Sequence, residues 1–355
     1  MELSPLAKLY AKYPMLRKQH EQQFFQMRAP HSIISTQPPI FYMMYSPSEK
    51  FGCASLQPVF NYFQDQSAYF LVNWWWDMES SHAVEKLREL ESQHLRQYPK
   101  HKFIHLCNTE KQQEVFNNHK LNAVFCNQNC LIDEEIFKPL DSILKTFDAV
   151  YDARFHPCKR HHLAQRINSI AFIYSYNLEE NYHYDVKSLF PHAHYFNHAL
   201  AEEGLNIILP PEIVNQCLNT CRVGLCLSSI EGAMYASIQY FLSGLPVVST
   251  KSKGGRDVFF DEKYVLIVED DPDAVKEGVD ELIRRNIYPD TIRSDVMEKI
   301  QEHRHTFVRA VQDIYDQEKV DKDFSQEFEK LFFNKFYKLK MPEETIRQIE
   351  LSKTV

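Results

Sequence analysis

CLSSIEGAMYASIQYFLSGLPVVSTKSKGGRD, residues 226–257, is the stretch of sequence that decides the fold. It continues an apolar strand predicted over 222–228, makes a polar turn at 229–232 and enters an apolar helix over 233–242. A glycine ends that helix, as glycine commonly does, and a second apolar strand follows at 245–249. This order of elements predicts a parallel βαβ unit, in which ligands bind at the carboxyl ends of the strands.

Glu231 and Gly232 lie in the turn, where the first N–H groups of the helix would face a bound anion. The stretch resembles the signature of the retaining glycosyltransferases of family 4. That signature has a glutamate, seven residues, a second glutamate, then Gly-Leu-Pro-Val-Val and later a glycine pair. Glu231 occupies the first position, residues 244–248 match the central segment, and Gly254–Gly255 match the pair. Gln239 stands at the second glutamate position, which is a departure from the signature.

The resemblance implies an α/β protein of GT-B fold, with two Rossmann-like domains, a cleft between them and a helical C-terminal tail. Residues 1–140 are predicted to form the N-terminal, acceptor-side domain, residues 141–290 the nucleotide-sugar-binding domain, and residues 291–355 helices that pack back on the body. The matching region spans about residues 132–285. The N-terminal half matches only in its alternation of strands and helices, and its start offers only a polar helix over 3–27.

Composition limits the classes of function. The chain has 355 residues, enough for about two domains, with a formal net charge of -8 and a pI near 6.1. This acidity argues against nucleic acid as a partner, because phosphate binding needs a basic face. The 8 cysteines, without an export signal, predict reduced core thiols rather than disulfides. Because there is also no run of 18 apolar residues, a cytoplasmic protein is predicted.

Two cations after the first strand of the second domain are the central candidates for donor binding. Arg154 and Lys159 keep the spacing of the family's Gly-Arg, four residues, Lys motif, although Ala153 replaces the glycine. The resemblance implies that both hold the donor diphosphate; as an alternative, both are solvated loop cations. Glu231 is predicted as a catalytic residue that accepts hydrogen bonds from donor sugar hydroxyls. The remaining implied donor contacts are Gly232, Ala233, Met234, Gln239 and His198.

Three of these donor contacts have a second interpretation. Glu231 could serve only the helix dipole. Gln239 could be an ordinary helix residue rather than a neutral partner for the ribose hydroxyls. His198 follows a strand predicted over 193–196, where the family's nucleobase pocket begins, and it is the weaker candidate. The sequence leaves the nucleotide base open.

Candidate acceptor contacts lie mainly in the first domain. Members of the family place a histidine there near the acceptor, and His105, on a strand predicted over 103–107, is the candidate for this catalytic role. Thr109 or Asn108 is predicted to cap the helix that follows. The other candidates for acceptor or phosphate contacts are Asn108, Glu110, Asn127, Lys253 and Arg256. The last two flank the glycine pair, for which a plain surface loop is the alternative.

No metal or other cofactor is predicted. Asp271 and Asp273 are interpreted as a helix cap, and Asp321 and Asp323 fall in the helical tail. The histidine clusters lack the spacing of a zinc site. Positive side chains and a helix N-terminus would stabilise the leaving diphosphate instead.

The resulting prediction is a glycosyltransferase that moves a sugar from a nucleotide-sugar donor to a glycan or lipid-linked glycan, in bacterial surface polysaccharide synthesis. An inverting GT-B transferase or an epimerase, with Glu110 or His105 as the base, is one alternative. A catalytically inactive nucleotide-sugar-binding module, suggested by Gln239, is another. The donor sugar, the acceptor and the stereochemical outcome stay open.

The tail combines aromatic side chains with lysines. Between residues 324 and 340 the two types alternate at near-helical spacing. Such a helix could make a peripheral contact with the inner face of a membrane. Packing of the stripe on the protein itself is the favoured interpretation, because large exposed aromatic patches are uncommon.

Overall fold

The helix predicted over 3–27 lies outside the residues that the computed structural model describes, which are 28–45, 56–174, 180–199 and 208–353. The described chain forms two compact α/β units. We call residues 133–299 the central unit, and residues 28–132 together with 300–353 the N-terminal unit. Of the C-terminal segment predicted to pack back on the body, residues 300–353 cluster with the N-terminal unit.

Strands and helices alternate through most of the described chain. The described strands are Ala29–Thr36 (β1), Pro39–Tyr45 (β2), Ala68–Trp74 (β3), His101–Cys107 (β4), Ala123–Phe125 (β5), Phe147–Asp152 (β6), Ile170–Ile173 (β7), His194–Tyr195 (β8), Cys221–Cys226 (β9), Val247–Thr250 (β10), Val265–Val268 (β11) and Lys338–Lys340 (β12). The described α-helices are Gln57–Tyr62 (α1), Ser81–Gln97 (α2), Glu110–Asn118 (α3), Glu180–Leu189 (α4), Phe196–Ala199 (α5), Pro211–Asn219 (α6), Tyr235–Leu242 (α7), Pro272–Arg285 (α8), Pro289–Gln317 (α9), Phe324–Leu331 (α10) and Pro342–Ser352 (α11).

The sheet of the central unit is entirely parallel, in the order β11-β10-β9-β6-β7-β8. Strands β6, β7 and β8 follow one another from the middle of the sheet to one edge. The chain then returns to the middle, and β9, β10 and β11 follow one another to the opposite edge. This doubly wound order leaves a crevice at the carboxyl ends of β6 and β9, where the direction of winding reverses. The βαβ unit predicted from residues 222–249 is confirmed as β9, α7 and β10.

Two glycines let α7 pack closely on its neighbours. A Cβ at Gly224, in β9, would lie 2.4 Å from Cδ2 of Tyr240 in α7. The Tyr240 side chain is fully buried, and its hydroxyl accepts a hydrogen bond of 2.7 Å from the Asp152 N–H at the end of β6. After α7, Gly244 has a positive φ of 74°, and a Cβ there would meet Pro289 at 2.4 Å. These contacts fix α7 against β9 and β6, and so position the turn that precedes it.

The N-terminal unit is built on a mixed sheet in the order β12-β1-β2-β3-β4-β5. Strands β2 to β5 are parallel, whereas β1 pairs antiparallel with both β2 and β12. Aromatic rings stack across these strands: Phe41 on Phe70 and Phe70 on Phe103, each with centroids 5.3 Å apart. The predicted alternation of strands and helices over 67–127 is confirmed. The sequence did not predict β1, β2 or β12.

The aromatic stripe of the tail packs inside the N-terminal unit. Phe324, Phe328 and Phe336 are all buried. Phe328 and Phe336 both contact Phe307 of α9, with centroids 5.7 and 5.3 Å away, and Tyr42 of β2 packs edge-on against Phe336 at 5.6 Å. The favoured interpretation of the stripe, packing on the protein itself, is confirmed. The tail is not entirely helical, however, because β12 follows the stripe.

Two predicted helix caps are confirmed. The Thr109 hydroxyl accepts a hydrogen bond of 2.9 Å from the Gln112 N–H at the start of α3. The Asp271 carboxylate accepts from the N–H groups of Asp273 and Ala274, at 3.0 and 2.9 Å, at the start of α8. Among the described residues, no helix is both long and apolar enough to cross a membrane.

Candidate functional site

A tight turn after β6 delivers one of the predicted donor contacts. The chain forms a short 3-10 helix, Pro157–Lys159, and His156 caps it by accepting a hydrogen bond of 3.2 Å from the Cys158 N–H. Proline suits the first position of such a turn because it has no N–H to leave unpaired. Arg160 then adopts a left-handed φ of 51°, which reverses the chain. The Lys159 side chain is thereby buried at the end of β6.

Lys159 and Glu231 form a buried ion pair. The Lys159 ammonium donates a hydrogen bond to Glu231 Oε1, and the two side chains are 11% and 9% exposed. Because a buried charge without a partner is costly, each residue holds the other charged and in place. The structure thus brings together two predicted site residues that lie 72 positions apart.

Arg154 is the exposed member of this group. Burial raises the pKa of the Cys158 thiol, whereas Lys159 and Arg154 act to lower it. Both cations therefore lie within electrostatic reach of one thiol. The loop after β6 presents a buried, paired lysine and an exposed arginine side by side.

The loops after β9 and β10 are joined by backbone hydrogen bonds. The Glu231 N–H donates to the Lys253 carbonyl, and the Lys253 N–H donates to the Ser229 carbonyl, both at 3.0 Å. The Gly255 N–H donates to the Gly232 carbonyl at 2.7 Å. Gly254, with a φ of 88°, takes a conformation that favours glycine. The glycine pair of the signature therefore supports the backbone of Glu231.

Arg256 supports the same loops from within. It is fully buried, although it was predicted to contact acceptor or phosphate. Its guanidinium donates to the carbonyls of Cys226, Ser228 and Thr250, the hydroxyl of Ser249 and the carboxylate of Asp257. With its N–H groups engaged in this way, Arg256 ties the ends of β9 and β10 together. Lys253 is exposed, and its predicted role stays a prediction.

Arg160 is a positioning residue that the sequence analysis did not single out. Its guanidinium donates to the Leu227 carbonyl, the Thr250 hydroxyl and the Asp270 carboxylate, each at 2.6 Å. These partners stand at or just beyond the carboxyl ends of β9, β10 and β11. In the sequence, Arg160 is marked only by its place next to Lys159. Spacing alone does not show the direction in which either side chain points.

The start of α7 holds the remaining donor candidates. Ala233 and Met234 are buried, and Met234 has a left-handed φ of 56° just before the helix. Gln239 is buried one turn into α7. The Ser228 hydroxyl, in the loop before Glu231 and not predicted from the sequence, is buried without a hydrogen-bond partner in the described part of the chain. His198 falls in α5, and its side chain lies outside the described residues.

Asn108 and Asn127 belong to a buried amide network at the carboxyl ends of β3, β4 and β5. The Asn108 amide donates to the Trp74 carbonyl at 2.9 Å, and its oxygen accepts from the Gln128 N–H at 3.1 Å. The Asn127 amide donates to the Asn108 carbonyl at 2.9 Å. Both asparagines hold strand ends together, whereas Glu110 lies exposed in the first turn of α3.

His105 lies in the core of the N-terminal unit rather than at a strand end. Its buried ring packs against Trp74 and Phe116, with centroids 5.5 and 5.1 Å away. Its Nε2 atom makes a hydrogen bond of 2.8 Å with the Glu91 carboxylate of α2. The alternation of side chains along β4 places this ring beneath the helices, so the structure does not bring His105 to the candidate site.

Sequence comparison adds no relative: no protein-family model matches the chain, and no curated protein matches it. Solved structures do match its fold. HepE of Anabaena in complex with UDP is 10% identical, with a TM-score of 0.51, over 73% of this chain and 82% of that one. Sucrose-phosphate synthase from Thermosynechococcus elongatus is 12% identical, with a TM-score of 0.52, over 74% and 76%.

The pneumococcal O-GlcNAc transferase GtfA, in complex with UDP and GlcNAc, is a third match. It is 14% identical, with a TM-score of 0.51, over 75% of this chain and 55% of that one. At such identities a likeness concerns the fold. The predicted GT-B fold, with its two Rossmann-like α/β units, is confirmed, and a cleft between the units stays a prediction.

Proposed function

We propose that this chain is a glycosyltransferase of the retaining family 4 type, with a nucleotide-sugar donor bound at the carboxyl ends of β6 and β9. The observation that carries the proposal is the buried Lys159–Glu231 pair, assembled from the two loops at the crevice. Doubly wound sheets bind their ligands at this place. HepE and GtfA were each solved with UDP, which supports a nucleotide as the ligand.

The chemistry follows from the charges of these loops. Cleavage of the sugar–phosphate bond leaves growing negative charge on the nucleoside diphosphate, and positive groups held in place stabilise it. Lys159 supplies one such group from within and Arg154 a second from the surface. Glu231 accepts hydrogen bonds from sugar hydroxyls as the donor draws Lys159 toward its phosphates. The N–H groups of residues 232–234, Gln239 and His198 complete the proposed donor contacts.

Transfer is proposed to need no divalent metal, because Arg154 and Lys159 neutralise the leaving group. Turnover in excess chelator is expected to equal turnover without it. A loss of activity that manganese or magnesium restores would contradict this part of the proposal.

The proposed acceptor is a glycan or a lipid-linked glycan of a bacterial surface polysaccharide, used at the cytoplasmic face of the membrane. Glu110 and Lys253 are the exposed candidates for contacting it. Asn108 and Asn127 would act by holding the strand ends beneath it. A carboxylate at the start of α3 suits hydrogen bonds from sugar hydroxyls.

The test is a thermal-shift series with UDP, GDP, CDP and ADP. A nucleotide that binds the folded chain raises its Tm, and we expect at least one to do so. The double variant Lys159→Met/Glu231→Gln, which removes both charges, is expected to lose the shift. The proposal fails if none of the four nucleotides shifts the wild-type Tm.

Turnover separates the proposed enzyme from its alternatives. Binding of a nucleotide without transfer from any matching nucleotide sugar would favour the inactive module that Gln239 suggests. Where transfer occurs, NMR of the product gives the anomeric configuration. Retention supports the family 4 type, and inversion supports the other class of GT-B enzyme.

A further inference from the structure

The three tryptophans of the chain are consecutive, and their surroundings differ. Trp74, the last residue of β3, is fully buried, whereas Trp75 and Trp76 are 41% and 38% exposed. Indole is among the largest apolar groups in proteins and is normally well buried. Two adjacent exposed indoles therefore need an explanation, and the donor chemistry proposed for the central unit does not use them.

One aromatic side chain of the tail contacts these indoles, and further aromatic and basic side chains of the tail lie near it in the sequence. The Tyr337 ring meets the Trp75 ring edge-on, with centroids 6.5 Å apart. Lys338 Nζ lies 5.1 Å above the ring of Phe333, which stacks at 5.6 Å on the buried Phe336. Phe336 thus anchors this group to the core. We call it the tryptophan surface: Trp75, Trp76, Phe333, Tyr337 and Lys338.

The tryptophan surface is bordered by positive charge although the whole chain is acidic. Its tail segment, residues 335–340, reads KFYKLK, with three lysines and no acid. Of the two acids that follow the tryptophans, one is paired with a lysine. Glu79 binds Lys111 at 3.1 Å and accepts a hydrogen bond of 2.7 Å from the Thr109 hydroxyl. Asp77 accepts a hydrogen bond of 3.1 Å from the Glu79 N–H.

We propose that the tryptophan surface docks this protein on an anionic lipid membrane. Indole rings settle at the boundary between headgroups and hydrocarbon, and lysines beside them attract the lipid phosphates. A neutral glycan stacked on the indoles would make no use of these lysines. A second copy of the chain, seated here with two-fold symmetry, would bring the lysines of both copies together.

This docking is a separate property from the proposed transfer reaction. It uses other residues than Phe324, Phe328 and Phe336, which pack inward. Because every tryptophan of the chain lies at or beside the surface, intrinsic fluorescence reports on it directly. Trp74 is buried and supplies a constant background.

The experiment mixes the full chain with vesicles of phosphatidylcholine and phosphatidylglycerol. We expect co-sedimentation, a blue shift of tryptophan emission, and quenching when the lipids are brominated. The variant Trp75→Ser/Trp76→Ser is expected to bind at least about tenfold more weakly. Lys338→Glu is expected to weaken binding in proportion to the phosphatidylglycerol content.

Matched controls remove similar groups elsewhere. Tyr288→Ser/Ile267→Ser deletes two side chains that are 67% and 55% exposed in the central unit, and Lys263→Glu reverses an exposed charge there. Both are expected to bind vesicles as the wild type does. The Tm and the nucleotide-induced shift are measured for each variant, so that failure of docking is distinguished from misfolding and from failure of the proposed function.

Three outcomes would overturn the proposal. One is absence of vesicle binding by the folded wild type, and another is equal binding by the double tryptophan variant. The third is a chain that does not bind vesicles but whose tryptophan emission changes with a soluble glycan, or with self-association as the protein concentration rises. Vesicle binding that falls in the double tryptophan variant and in Lys338→Glu, but not in the two controls, supports it.

Discussion

The buried ion pair of Lys159 and Glu231 fixes the positions of two residues that are proposed to bind the donor. Removing one partner of a buried ion pair leaves the other charge buried and unpaired, which costs about 3–5 kcal/mol, whereas removing both is much less costly. We therefore expect Lys159→Met to lower the free energy of unfolding markedly. The double variant Lys159→Met/Glu231→Gln should recover most of that stability without recovering nucleotide binding. Urea unfolding and thermal shift measure the two properties separately.

Two results would contradict these expectations for Lys159 and Glu231. If the double variant were as unstable as Lys159→Met, the pair would not be the reason for the instability. If it bound nucleotide as the wild type does, neither residue would contact the donor.

Arg154 should behave differently because it is exposed. Arg154→Ala is expected to leave the free energy of unfolding unchanged and to weaken nucleotide binding by about 1.5–3 kcal/mol, the value of a charge-assisted hydrogen bond. Arg166→Ala is the matched control, since Arg166 is an arginine of the same unit with a side chain 61% exposed. Isothermal titration with the nucleotide that gives the largest thermal shift provides the measurement. Equal affinities of the two variants would show that Arg154 is an ordinary surface cation.

Spacing predicted which residues lie at the strand ends of the candidate site, but not the direction that each side chain takes. Lys159 and Glu231 follow strands that flank the crevice, and the βαβ pattern was enough to bring them together. Arg256 sits in an equally suggestive motif, yet its guanidinium turns inward to bind carbonyls. His105 is buried by the alternation along β4, with Glu91 as its partner. Partners of this kind, distant in sequence, leave no local pattern.

At the scale of elements, the packing of α7 on β9 controls the site. A Cβ at Gly224 would lie 2.4 Å from the Tyr240 ring, which is buried and bonded through its hydroxyl to the backbone of Asp152. Gly224→Ala is therefore expected to push α7 away and to lower the free energy of unfolding by about 1–3 kcal/mol. Because α7 begins at the Glu231 turn, nucleotide affinity should fall as well.

Gly278→Ala is the matched control for Gly224→Ala. A Cβ at Gly278, in α8, would lie 3.2 Å from methyl groups of Val248 and Val268, and alanine favours a helix interior over glycine. This variant should change stability much less and leave nucleotide affinity unchanged. Chemical denaturation of both variants decides the matter, and a smaller effect at Gly224 than at Gly278 would contradict the argument.

Two of the three strands that the sequence did not predict, β1 and β12, lack a local signal for a physical reason. β1 carries His31 and Ser32 at buried positions, where the histidine bonds Thr345 at 2.6 Å and the serine donates to the Phe336 carbonyl at 2.6 Å. These partners lie more than 300 residues away, so a polar segment becomes a core strand only through distant contacts. β12 has three residues, too few to show the alternation of apolar and polar side chains that indicates a strand. β2 is different: it is a buried strand parallel to β3 with the apolar run that such strands carry, so a signal was present and the prediction missed it.

At the scale of the whole molecule, buried neutral histidines set the response to acid. Burial lowers the pKa of His31 and of His101 to about 4, and of His94 and His161 to about 3, from the ordinary value of 6.5. Three of them belong to the N-terminal unit and His161 to the central unit. Both units therefore exclude protons that the unfolded chain would bind.

The sign of the effect follows from proton linkage. Between about pH 6.5 and pH 4 the unfolded chain carries protons on these histidines and the folded chain does not, so stability falls as the pH is lowered through this window. Each such proton contributes a slope of about 1.4 kcal/mol per pH unit. We expect the free energy of unfolding, measured in urea, to decrease steeply from pH 7 to pH 5.

His31→Gln removes one of these groups while keeping a hydrogen-bond donor near Thr345. It should reduce the slope of stability against pH by about one proton, whatever its effect on stability at pH 7. His82→Gln, at an exposed position on α2, should leave the slope unchanged. A loss of packing in the variant would lower the free energy of unfolding equally at every pH. It would therefore leave the slope of stability against pH, which is the predicted quantity, unchanged. A wild-type chain equally stable at pH 5 and pH 7 would show that these histidines gain protons in the fold as readily as in the unfolded chain.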